Sequence, residues 1–156
     1  MLIFLDIDGV LHPALPVGHE EGKFCHLERF ETIMREYPEW KIVISSGWRL
    51  RYSLNKLRTF FSNDIADRIV GITPILLSSQ PAFRQREIEQ YLRETSHDLT
   101  PWIALDDSAG DYAENLPNLI LCNMMTGIDE AVEERLRAML VALSSNIADG
   151  RHSVGR

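Results

Sequence analysis

The chain of 156 residues carries 23 acidic against 16 basic side chains, for a net charge of −7, and is 45% hydrophobic and 25% charged. That balance suits one globular domain with its own core, and it argues against a broad electrostatic grip on nucleic acid or an anionic membrane, while leaving room for a local basic cluster. Two cysteines, Cys25 and Cys122, set no disulfide framework, so a cytoplasmic protein is expected, and Cys25 before His26 lacks the second ligand pair of a zinc site. The apolar start is broken by Asp6 and Asp8, too soon for a signal-peptide core or a membrane span.

In chain order, Leu2–Leu5 is a fully apolar run that predicts a buried strand of a parallel sheet, followed at once by Asp6, Asp8 and a turn-permitting Gly9 that leaves room for a ligand. Residues 12–23, with Pro13, Pro16, Gly18 and Gly22, read as a loop or flap. Leu27, Phe30, Ile33, Met34 and Tyr37 fall at helical spacing, and Pro38 stops that helix. Residues 41–45 are a second strand, Leu50, Leu54, Leu57 and Phe61 mark a second helix, and residues 68–72 a short third strand. The pattern repeats with a helix over Phe83–Glu94, a strand at residues 102–105 that runs into Asp106-Asp107, and a strand at residues 119–122. In the last helix Thr126 and Asp129 resemble a capping box, and Ile128, Val132, Leu136, Met139, Leu140 and Leu143 trace one face. Alternating strands and helices predict an α/β fold, a five-stranded parallel sheet with helices on both faces, forming one domain over residues 1–145 with a flexible tail at 146–156.

Chemistry in such sheets collects at the carboxyl ends of the strands. Asp6 and Asp8, then Ser45-Ser46-Gly47-Trp48-Arg49, then Arg84 and Arg86, then Asp106-Asp107 all fall at that edge. Three or four carboxylates crowded together are protonated unless a cation holds them, and hard oxygen ligands suit Mg²⁺. A hydroxyl and a guanidinium beside that ion would bind the remaining oxygens of a phosphoryl group.

Asp6-Ile7-Asp8-Gly9-Val10-Leu11, a strand ending in Ser, a basic residue opening a helix and a strand ending in Asp106-Asp107 resemble the four motifs of the haloacid dehalogenase (HAD) superfamily, in order. Ser46-Gly47-Trp48-Arg49 and Arg84-x-x-Glu87-Ile88 are similar to a group related to the HAD-like domain of Swiss-army-knife RNA-repair proteins. The resemblance implies a three-layer Rossmann-like fold with sheet order 5-4-1-2-3 and a Mg²⁺-dependent phosphohydrolase. In it Asp6 is the nucleophile, Asp8 the acid and base, Ser46 a phosphoryl donor and Arg84 the compensating charge, with Asp6, Asp8 (through its backbone carbonyl), Asp106 and Asp107 as the metal set. Gly9, Gly47 and Arg49 are the expected substrate contacts. Ser45 is an alternative to Ser46, and Arg86 to Arg84; Ser46 is preferred by counting back from Trp48-Arg49, Arg84 by its distance from Ile88. The strands and helices use most of the stretches between motifs, so no large cap domain fits. The site should be open and accept phosphates on large molecules such as nucleic-acid ends or proteins, with Arg49, Arg51, Lys56 and Arg58 as the candidate basic patch.

Each reading has a plainer rival. Asp6 and Asp8 suit a turn, Asp106-Asp107 a helix cap, Arg84 and Arg86 a solvated helix face, and Arg49 either an ion pair or a substrate contact. Trp48 reads as packing sooner than as a stacking platform, and His12, His19 and His26 as flap residues without a catalytic task. A phospho-receiver domain is disfavoured, because Ile72-Thr73-Pro74 stands where its acceptor Asp belongs. A catalytically silent HAD-like binding or regulatory module is the alternative to an enzyme.

Overall fold

All four residues of β1 (Leu2–Leu5) are buried, because this strand lies in the middle of the sheet with helices against both of its faces. The computed structural model describes residues 1–14, 22–76 and 81–150, the side chains of residues 146–150 excepted. β2 (Lys41–Ile44) and β4 (Trp102–Asp106) flank β1 in parallel, with Leu5 opposite Ile44 on one side and Leu105 on the other. β3 (Ile69–Ile72) and β5 (Leu119–Leu121) complete the order β3-β2-β1-β4-β5, the expected order read from the other edge.

Alternation along the strands splits the core in two. Ile3, Leu5, Ile42, Ile44, Ile103 and Leu105 point to one face, where they meet Phe30, Ile33 and Met34 of α1 (Leu27–Glu36) and Val132, Leu136 and Leu140 of α5 (Glu130–Gly150). Leu57 of α2 (Leu54–Arg58) and Ile65 of α3 (Asn63–Ala66) close the same layer. Leu2, Phe4, Val43 and Ala104 point to the other face and meet Ile88, Tyr91 and Leu92 of α4 (Phe83–Glu94), with the Tyr91 ring edge-on to Phe4 at 5.6 Å. These are the three layers of an α/β/α fold.

The helix expected through Leu50 and Phe61 is reduced to α2, with a 3₁₀ turn at Gly47–Leu50 before it and α3 after it. Two serines mark the breaks. Ser53 is extended and its hydroxyl accepts from the Lys56 N–H to restart the chain as α2, while Ser62 gives both its N–H and its hydroxyl to the buried Glu31 of α1. Leu50 consequently stays exposed. At α5 the capping residue is Asp129, which accepts from the Val132 N–H at 3.0 Å and from the Thr126 hydroxyl at 3.1 Å; Thr126 supports the cap that it was expected to be. α5 runs to Gly150, five residues into the stretch expected as tail, because nothing in residues 146–150 breaks a helix before that Gly. The rest of that tail, residues 151–156, and residues 15–21 of the flap, His19 among them, lie outside the described residues.

The connections from β1 to α1 and from β3 to α4 are too short to hold a cap domain. Among the described residues no helix is long and apolar enough to cross a membrane.

Candidate active site

One residue beyond the paired strands, Asp6 stands beside Ser45 and Asp106, and the ladder continues through Ser45 N–H to Leu5 O and Asp6 N–H to Leu105 O, both at 3.0 Å. Each lies two positions past Phe4, Val43 or Ala104, so all three share the face that α4 covers. Arg84, in the first turn of α4, reaches them. Its Nη1 is 3.6 Å from Asp6 and 3.5 Å from Asp106, and donates to the Ser45 carbonyl at 2.5 Å, while Nε lies 3.7 Å from Asp111. Burial works against the Arg84 charge, but Asp6 and Asp106 outweigh it and raise its pKa. Of the two candidate arginines, Arg84 is the one beside the carboxylates.

Asp6, Asp106 and Asp107 each bring a carboxylate oxygen into a group whose members all lie within 4.8 Å of one another. Asp106 is fully buried and accepts from the Tyr112 hydroxyl and the Ser108 N–H, each at 2.9 Å. Burial first, and the Asp6 charge second, push it up to about 7 against the pull of Arg84. Burial and Asp6 raise Asp107 as well. Gly9 explains how Asp107 fits: at φ +71° it turns the chain after β1, and a Cβ there would stand 2.1 Å from the Asp107 carboxylate. The space expected at Gly9 for a ligand is therefore occupied by Asp107. Three converging hard oxygen donors, Asp106 and Asp107 among them with raised proton affinity, fit a divalent cation.

The Asp8 carboxylate does not join this group. It is turned to His12, whose Nε2 lies 2.8 Å from Oδ1, and to Trp48, whose Nε1 donates to Oδ2 at 2.9 Å. The His12 hydrogen bond, opposed by burial and helped by Trp48, lowers its pKa. The role that the resemblance implied for Asp8 at the metal is that of its backbone carbonyl, and the side chain is engaged with His12 and Trp48. His12, expected on the flap without a task, is thus in contact with a candidate catalytic carboxylate. The only hint in the sequence was its i, i+4 spacing from Asp8.

Of the two serines, Ser46 caps the 3₁₀ turn, its hydroxyl accepting from the Trp48 N–H at 3.3 Å. The hydroxyl of Ser45 is buried without a hydrogen-bond partner among the described residues, as are Arg84 Nε and the Thr73 hydroxyl. Gly47 borders open space, with nothing within 4 Å of where a Cβ would be.

Arg49, expected as a substrate contact with an ion pair as the alternative, makes the ion pair. It is buried, and its guanidinium pairs with Glu87 of α4 at 2.5 Å and donates to the carbonyls of Ser45 and Ser46, both at 2.9 Å, and Thr73 at 3.1 Å. Glu87 in turn accepts from the Leu76 N–H at 3.0 Å. The arginine is consumed in joining the loops after β2 and β3 to α4, and it does not present its charge to a substrate. Arg58 likewise donates twice to the Ile69 carbonyl, so the expected basic patch reduces to the exposed Arg51 and Lys56.

The profile of a family described as the HAD domain in Swiss Army Knife RNA repair proteins matches residues 2–132. No curated protein and no solved structure matches the chain.

Two outcomes follow from this geometry. Replacing Glu87 by Met leaves the Arg49 charge buried without its partner, at a cost of about 3–5 kcal/mol. The thermal midpoint should fall by roughly 6–20 °C, and adding Arg49→Met should restore part of the loss; an unchanged midpoint would show that the pair carries no weight. The carboxylates give the second. Asp106, raised to about 7, holds its proton more tightly folded than unfolded, so its contribution to stability is full below about pH 4 and is lost as the pH rises through about 7, and Asp107, raised as well, acts in the same direction. Mg²⁺ at about 100 times its Kd should then raise the midpoint by roughly 5–10 °C at pH 7.5. The gain should shrink at pH 5 and vanish in Asp107→Asn.

Proposed function

The chain belongs to the family of HAD domains found in Swiss Army Knife RNA repair proteins, and from that premise we propose that it is a phosphohydrolase acting on phosphoesters through an aspartyl-phosphate on Asp6. The observation that carries the reading is the company Asp6 keeps: Asp106 and Asp107 within ligand distance, Arg84 beside it, and two buried donors, the Ser45 hydroxyl and Arg84 Nε, without a hydrogen-bond partner among the described residues. A carboxylate attacking a phosphoryl group needs its own charge, a neighbouring cation and donors for the phosphoryl oxygens, and each is within this cluster.

Asp6, Asp106 and Asp107 would hold Mg²⁺, which when bound screens the repulsion between the nucleophile and the phosphoryl oxygens. The Asp6 carboxylate forms a bond to phosphorus while the leaving oxygen departs with a proton from Asp8. Asp8 then takes a proton from water as the water oxygen attacks phosphorus, releasing inorganic phosphate and the free Asp6 carboxylate. The Ser45 hydroxyl, on the sheet face that carries Asp6 and Asp106 and without a hydrogen-bond partner among the described residues, is the donor we assign to the phosphoryl oxygens; the Ser46 hydroxyl accepts the Trp48 N–H in its cap. The absence of a cap domain among the described residues and the half-exposed side chain of Asp8 support a large phosphoester as substrate, such as a nucleic-acid end. Arg51 and Lys56, beside Trp48, Tyr52 and Phe60, are the groups available to hold its chain.

Release of phosphate from a panel of phosphorylated oligonucleotides, mononucleotides, phosphopeptides and aryl phosphates, with and without Mg²⁺, tests the reading. Turnover should require Mg²⁺ and fall by about 10⁴-fold or more in Asp6→Asn. Ser45→Ala should cost on the order of 10²-fold in kcat, and Ser46→Ala much less. A Ser46→Ala loss larger than that of Ser45→Ala would reverse the assignment, and a Mg²⁺-binding protein inactive on every member of the panel would leave a binding module.

A further inference from the structure

We propose that His12 and Trp48 are positioning residues that clamp the Asp8 carboxylate in the orientation proton transfer requires; this rests on the reading of Asp8 as acid and base. His12 is 8% exposed, and its ring is fixed from both ends. The Phe24 backbone N–H donates to its Nδ1 at 3.2 Å, so that nitrogen is an acceptor and the ring hydrogen sits on Nε2, which donates to Asp8 Oδ1 at 2.8 Å. Trp48 Nε1 is a donor only, and it takes the other oxygen at 2.9 Å.

The two donors come from different elements. His12 closes the turn after β1 through a bridge to Asp8, whereas Trp48 belongs to the 3₁₀ turn after β2 that Ser46 caps. Both rings are wedged in one aromatic cluster: Phe24 lies 5.4 Å from His12 and 5.3 Å from Trp48, and Phe60 lies 5.4 Å from Trp48. Asp8 itself is half exposed, with a side-chain exposure of 52%, and unclamped it would rotate freely about its Cβ–Cγ bond. With one fixed N–H on each oxygen, rotation breaks a hydrogen bond. A protonated carboxyl retains an acceptor lone pair on each oxygen, so the same two donors hold the acid and the base forms. Misplacement of an acid by even an ångström costs proton transfer heavily, which gives the clamp its function.

The test is kcat/KM, with saturating Mg²⁺, for aryl phosphates of rising leaving-group basicity, from 4-nitrophenyl to phenyl phosphate. A good leaving group departs without a proton and a poor one needs the acid, so a displaced Asp8 steepens the dependence. His12→Phe and Trp48→Phe keep the aromatic packing and remove one N–H each. Each should lose only a few-fold on 4-nitrophenyl phosphate but ~10–100-fold on phenyl phosphate. His12→Gln, which returns an N–H, should recover part of the loss. A loss by one common factor across the series means that the residues only support the fold, and overturns the proposal. Asp8→Asn is the reference: if it too loses a common factor, or if the wild type is inactive on the whole series, the reading of Asp8 has failed and the clamp falls with it. If Asp8→Asn steepens while both aromatic variants run parallel to the wild type, only the clamp has failed. Should His12→Phe not fold, Trp48→Phe carries the same comparison.

Discussion

The site depends on one buried ion pair. Arg49 and Glu87 join the turn after β2 to α4, the helix that delivers Arg84, and the same guanidinium gathers the carbonyls of Ser45, Ser46 and Thr73. Desolvating two charges is expensive, and a buried pair returns that cost only when its remaining hydrogen-bonding groups are satisfied. Here they largely are, since Glu87 also accepts the Leu76 N–H. The pair therefore acts less as a source of stability than as a constraint. It ties the turn after β2 to α4, alongside the hydrogen bond that Arg84 itself gives to the Ser45 carbonyl.

Against that rigid frame the carboxylates are in conflict. Asp6, Asp106 and Asp107 converge where burial already penalises charge, and Arg84 is the cation recorded beside them. Gly9 shows that the crowding is built into the backbone, because any larger residue there would expel Asp107. On the reading proposed above, such a site would take charges from outside: a cation between the carboxylates, and phosphoryl oxygens before the Ser45 hydroxyl and Arg84.

Those parts of the protein whose sequence signal is local were legible. Leu2–Leu5 reads as a central strand because it is apolar on both faces, and α4 begins and ends where its periodicity does. The four clusters at the carboxyl edge follow from the parallel order of the strands. What was hidden lies in side-chain direction. Arg49 sits next to a loop in the sequence but turns inward to a glutamate 38 positions away, and spacing cannot distinguish that from a substrate contact. Ser45 and Ser46 are adjacent, and only the fold shows that Ser45 shares the face of Asp6 and Asp106 while Ser46 caps the next turn. His12 and Trp48 come from separate loops and are brought together at Asp8. The broken second helix was missed for a related reason: the apolar spacing was helical, but Ser53 and Ser62 had partners of their own.

The central claim is that Asp6 carries the phosphoryl group. It is tested most directly by reacting Asp8→Asn with Mg²⁺ and 4-nitrophenyl phosphate, which needs little help to leave, then quenching in acid, reducing with borohydride and mapping the modified residue by mass spectrometry. The account predicts a trapped acyl phosphate at Asp6 and at no other carboxylate. Modification of Asp106 or Asp107 in its place, or release of phosphate by the wild type with oxygen exchange showing direct attack of water, would contradict it.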